Sequence, residues 1–145
     1  MKLVECLEEA DSYIRLQVRS SRQAVNRALV VARGFLKRAG LPLSPNFEVV
    51  ARELLENAVV HGNGNEMSCS VCFSLRVEGE AEILVEVEDE GRGFDYGALD
   101  LTIPLNPQRS GKRGLALVNA LSERLEFNAK GNRVAAYLAL KQEGN

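Results

Sequence analysis

The chain has 145 residues, 46% hydrophobic and 26% charged, with a net charge of −2, the size and balance of one globular domain with its own core. No apolar run approaches the roughly 20 residues that cross a bilayer. Acids at Glu5, Glu8 and Glu9 break up the N-terminus, which does not read as a signal peptide, so the expectation is a cytoplasmic protein without a membrane partner.

The charge is unevenly distributed. From Ser12 to Phe47 there is no acid, while Arg15, Arg19, Arg22, Arg27, Arg33, Lys37 and Arg38 are basic. From Glu48 to Asp100 acids outnumber bases thirteen to three. Such polarity steers a charged partner or marks a solvated basic helix face. The basic segment contributes only Tyr13 and Phe35 as aromatics and matches no nucleic-acid motif, so nucleic acid is not an expected partner.

In chain order, residues 1–11 form an acidic leader with no assigned structure. Ile14, Leu16 and Val18 alternate, which predicts a strand over Tyr13–Arg19. Ser20 or Ser21 caps a helix in which Val25, Ala28, Leu29, Ala32 and Leu36 recur at helical spacing, and Gly40 with Pro42 ends it. Ser44-Pro45 opens a second helix with a stripe of Phe47, Val50, Ala51, Leu54 and Ala58, ending near His61-Gly62-Asn63-Gly64. Strands over Ser68–Val77 and Ala81–Asp89 flank a turn at Glu78-Gly79-Glu80. In the first of them, Cys69, Val71, Phe73 and Leu75 share a face and Cys72 points away. Without a second pair, this C-x-x-C is read as structural and not as a zinc site. A connector from Asp95 to Arg109 precedes a helix over Arg113–Ser122 and strands near Arg124–Asn128 and Arg133–Lys141. Helices segregated from paired antiparallel strands make an α+β, two-layer sandwich, in one domain.

Three segments carry chemistry. On the second helix Glu53, Asn57 and His61 are four apart and lie on one stripe. The Asn57 carboxamide suits Mg2+ as a hard oxygen ligand, and Glu53 can take a proton from an attacking hydroxyl or water. The same stripe is also compatible with an exposed polar face. After a β-branched strand come Asp89, Gly91, Gly93 and Phe94. A strand-end aspartate can accept from the exocyclic amine of adenine, and two glycines let the backbone approach a ligand. Arg109-Ser110-Gly111-Lys112-Arg113-Gly114-Leu115 is a basic glycine loop entering a helix, a setting that holds phosphates. It lacks the spacing of a Walker A loop.

In order and spacing these segments resemble the asparagine box and the two glycine boxes of the ATPase superfamily of gyrase and the histidine kinases, the Bergerat fold. The resemblance runs from about Tyr13 to Leu140 and is greatest to the bacterial anti-sigma-factor serine kinases. It implies a mixed, mostly antiparallel sheet with helices on one face, and binding of ATP with Mg2+. Glu53 would be the catalytic base and Asn57 the metal ligand. Asp89, Gly91, Gly93 and Phe94 would line the adenine pocket. Arg109 would act from a lid over about residues 95–110, and Gly111, Lys112, Arg113, Gly114 and Leu115 would form the phosphate loop. His61 matches a common family position, with helix-end packing as its expected role. Lys112 stands where such proteins often carry glycine, which narrows the backbone there.

The same resemblance implies a serine/threonine protein kinase that switches partners, binding a sigma factor or similar regulator and phosphorylating an anti-anti-sigma-type antagonist. It also suggests a homodimer. Two other readings share the fold: an ATP-gated protein-binding module without catalysis, and a histidine-kinase catalytic half. Against the latter, the chain carries no helical hairpin with a phosphoacceptor histidine, and its only histidine, His61, is in the first motif. A scaffold that binds no nucleotide would leave the three motifs as coincidence.

Overall fold

The computed structural model describes residues 2–42, 44–91 and 110–140, with backbone alone at 110–113. Strand β1 (Val4–Ala10) leads by a tight turn into β2 (Tyr13–Arg19), and helix α1 (Arg22–Arg38) follows. Helix α2 (Pro45–Asn57) runs directly into a π turn over Ala58–Gly62. The hairpin β3 (Ser70–Glu78) and β4 (Glu82–Glu88) comes next, then α3 (Ser110–Leu121) and the hairpin β5 (Arg124–Phe127) and β6 (Arg133–Ala139). The six strands form one sheet in the order β1-β2-β3-β4-β6-β5. Each of its five pairings is antiparallel. The expected two-layer α+β sandwich is present.

Local chemistry sets the element ends. Ser21, extended at φ −147°, accepts from the Ala24 N–H and caps α1. Its far end carries Lys37 and Arg38 against the negative end of the helix, and Gly40 takes the left-handed φ of 76° that closes it. Ser44 caps α2 through the Asn46 N–H, with Pro45 in its first turn. Gly79, at φ 63°, makes the β3–β4 turn.

Period-two burial then assembles the core. Ile14, Leu16 and Val18 of β2, with Val71, Phe73 and Leu75 of β3, are all buried, and their neighbours face the other way. Phe35 of α1 and Phe47, Leu54 and Leu55 of α2 cover them. Each such side chain contributes roughly 1.5–3 kcal/mol by leaving water. Cys72 lies half-buried on the opposite sheet face, as the alternation predicts, and burial pushes its thiol pKa up. Cys69 precedes the strand, and its carbonyl accepts from Ser20.

The N-terminal leader is structured. Val4–Ala10 pairs with β2 as an edge strand and is shifted by a bulge at Leu7. Its side chains from Glu5 to Ala10 are exposed on both faces, so its burial does not alternate and there is no period-two signal to read. Glu8 pairs with Arg15 at 3.8 Å and Glu9 with Arg38 at 2.7 Å. Charges and a bulge on an edge strand discourage pairing with another chain.

Candidate functional site

The site is built where α2, the segment after β4 and the start of α3 converge. Helix α2 packs closely on α3. At that seam Gly114 is buried, and a Cβ added to it would stand 2.5 Å from Glu53 Oε2 and 3.8 Å from Asn57 Nδ2. The glycine is what allows the Glu53 carboxylate to occupy that space, with Asn57 in ordinary contact beside it. Asn57 Nδ2 is itself buried without a hydrogen-bond partner among the described residues. Turning the carboxamide over exchanges Nδ2 and Oδ1, so this position can present either a donor or a hard oxygen. A buried polar group in this state fits a site that takes an external ligand. Burial is the main cause that raises the Glu53 pKa. Neighbouring Glu56 adds to the rise and Arg52 opposes it.

The other half of the site is joined to α2 by the π turn. A π turn adds a residue to the helical repeat, which takes His61 out of line with Glu53 and Asn57. His61 is exposed, so the helix-end packing expected of it is not found. Gly62 arrives instead against Asp89. A Cβ on Gly62 would overlap the Asp89 carboxylate, and one on Gly91 would overlap the Gly62 carbonyl oxygen. Asp89 Oδ1 accepts from the Gly91 N–H at 2.7 Å. Burial raises the Asp89 pKa, and the Gly91 hydrogen bond works against that rise. Its backbone is held from the β5–β6 turn. The Asp89 N–H donates to the Asn132 carbonyl at 2.9 Å, and Asn132 Nδ2 donates to the Asp89 carbonyl at 2.8 Å. Asn128 fixes that turn by accepting from the N–H groups of Gly131, Asn132 and Arg133.

Three segments remote in sequence thus meet at three glycines, each placed where a side chain would strike a polar group of another segment. A family model of the histidine kinase-like ATPase domain matches residues 17–138. The chain belongs to this family. No curated protein matches it. Membership in a histidine kinase-like ATPase family makes this an ATP-binding type of domain, and in it Glu53 and Asn57 face Gly114 while Asp89 and Gly91 face Gly62.

Leu115 packs in the hydrophobic core and anchors the start of α3. Gly111, Lys112 and Arg113 lie in the first turn of α3, without described side chains. Gly93, Phe94 and Arg109, with the lid expected over about residues 95–110, fall outside the described residues apart from Ser110. Sequence reasoning missed Gly62, Asn63 and Asn132 as site residues. The first two sit inside a run that reads as a helix stop, in which only His61-Gly62 matches a family feature. Asn132 sat in a turn whose partner, Asp89, is 43 residues away.

Gly62 gives a steric test of this assembly. It does not use the left-handed region, so alanine is allowed by its backbone and only the Asp89 contact opposes it. Gly62→Ala is expected to lower ATP affinity about tenfold or more by displacing Asp89. Calorimetric titration checks this, and wild-type affinity would show that the carboxylate does not read the ligand.

Proposed function

We propose that this ATPase-family domain is a serine/threonine protein kinase of the anti-sigma type that regulates transcription by partner switching. It would hold a sigma factor or similar regulator in one state and phosphorylate an anti-anti-sigma-type antagonist in another. The observation that carries the reading is the placement of the Glu53 carboxylate beside Asn57 and Gly114. There a base and a ligand-seeking carboxamide share one wall of an ATP site. In the transfer, the acceptor hydroxyl oxygen forms a bond to the γ-phosphorus and the bond to the β,γ-bridging oxygen breaks. ADP leaves, and Glu53 takes the hydroxyl proton. Mg2+ held by Asn57 would supply charge neutralisation across the phosphates. Glu53 accepts a proton only when ionised, and burial raises its pKa, so transfer should quicken as pH rises through that pKa.

The direct test is incubation with γ-labelled ATP, Mg2+ and small anti-anti-sigma-type proteins, followed by phosphoamino-acid analysis. Phosphoserine or phosphothreonine on an antagonist is the expected result. Tight ATP binding without transfer to any of them would leave the ATP-gated binding module as the function.

In this reading α1 is the docking face. Arg22, Arg27 and Lys37 are exposed and make no ion pair among the described residues, and Val30 between them is 58% exposed. Arg33 is not part of this free set, because its Nε and Nη2 donate to the two carboxylate oxygens of Glu48 of α2. Reversing Arg22 and Arg27 to glutamate is expected to weaken partner binding roughly tenfold or more, with a flatter salt dependence, and to leave ATP affinity unchanged. Unchanged partner affinity would move the docking face elsewhere.

A further inference from the structure

Among the described residues three polar residues are buried, Ser20, Asn63 and Asn132, and the first two are bonded to each other. Asn63 uses every polar group it has. Its N–H donates to the Ala58 carbonyl at 2.8 Å, the bond that closes the π turn. Its Nδ2 donates to Ser20 Oγ and to the Ser70 carbonyl, each at 3.0 Å. Its Oδ1 accepts from the Glu90 N–H at 2.8 Å. The carboxamide orientation is fixed by this pattern, since a flip would set a donor against the Glu90 N–H and an acceptor against two oxygens.

The neighbours of these atoms are the residues that meet the base. Gly62, beside Asn63, underlies the Asp89 carboxylate. Glu90 lies between Asp89 and Gly91, whose N–H engages Asp89 Oδ1. Asp89 Oδ2 has no hydrogen-bond partner among the described residues. We propose that Asn63 is a positioning residue for adenine. Its bond to the Glu90 N–H locks the peptide after Asp89, so that the carboxylate stays flat on Gly62 with one oxygen turned to the exocyclic amine. Without that bond, the Glu90 N–H loses its acceptor, the peptide rotates to find another, and Asp89 turns with it. The inference rests on the ATP-site reading and adds a residue to it that contacts no nucleotide.

The test separates positioning from mere support. Wild type, Asn63→Ala and Ser20→Ala are titrated by calorimetry with ATP and with purine-riboside triphosphate, in which hydrogen replaces the exocyclic amine. Wild type should prefer ATP by roughly tenfold or more, as expected for a hydrogen bond to a carboxylate. In Asn63→Ala that preference should fall to about threefold or less. Ser20→Ala cuts the same network on its far side. It should melt earlier and keep the wild-type preference. An undiminished preference in Asn63→Ala, or an equal loss in Ser20→Ala, would overturn the proposal. If Asn63→Ala does not fold, Asn63→Asp serves, since it keeps the acceptor for Glu90 and loses the donors. It should retain the preference, and its loss there overturns the assignment. Wild type that binds neither nucleotide is a different result, which removes the ATP-site reading itself.

Discussion

Asn57→Ala is expected to lower ATP affinity in the presence of Mg2+ by about a hundredfold or more, while the folded domain melts no earlier than wild type. The two halves of that expectation have one cause. The Asn57 Nδ2 is buried and no described residue satisfies it. Truncating an unsatisfied polar group relieves the fold of a desolvated atom, whereas truncating a satisfied one would cost it a bond. A structural asparagine would give the opposite pattern: a lower melting temperature and retained binding. Calorimetry with and without Mg2+, paired with thermal melting, distinguishes them. If wild type binds ATP equally well without the metal, Asn57 is not holding it.

Glu53→Gln should reduce phosphate transfer by roughly 10²- to 10⁴-fold, the usual range for a lost general base, with ATP affinity within about threefold of wild type. It should also stabilise the apo domain at neutral pH. Burial, with Glu56 beside it, raises the Glu53 pKa in the folded state. A raised carboxyl pKa means that the fold prefers the protonated form. Its favourable contribution is therefore present below the unfolded pKa and is lost as pH rises through the folded one. Glutamine is neutral throughout, so the variant's advantage should grow as pH rises through the carboxylate range. Thermal melts across that range check the sign. A variant less stable than wild type at neutral pH would show that the ionised carboxylate is held by favourable contacts.

Much of this arrangement was legible residue by residue. β2 was read with its observed bounds, since one buried face imposes a strict alternation of Ile14, Leu16 and Val18. Helix α2 was read from Ser44-Pro45 and its apolar stripe, which placed Glu53 and Asn57 one turn apart. The α3 boundary was harder. The helix begins at Ser110, three residues before the expected Arg113, because Gly111 and Gly114 weaken the local helical signal. β1 was not legible, since an edge strand exposed on both faces has no periodicity to detect.

The sequence by itself determined the element types, the helix caps, the buried faces and the three segments that bear the chemistry. All of these follow from interactions between residues a few positions apart, where spacing is enough. Only the tertiary structure decided how those segments meet. The π turn replaces His61 with Gly62 at the mouth of the site. Gly114 lies against Glu53, Asn63 reaches Glu90, and Asn132 reaches Asp89. Those contacts join residues 27 to 61 positions apart. Whether a glycine is a flexible turn or a space kept clear for another segment's carboxylate depends on what packs above it, and local sequence carries no record of that.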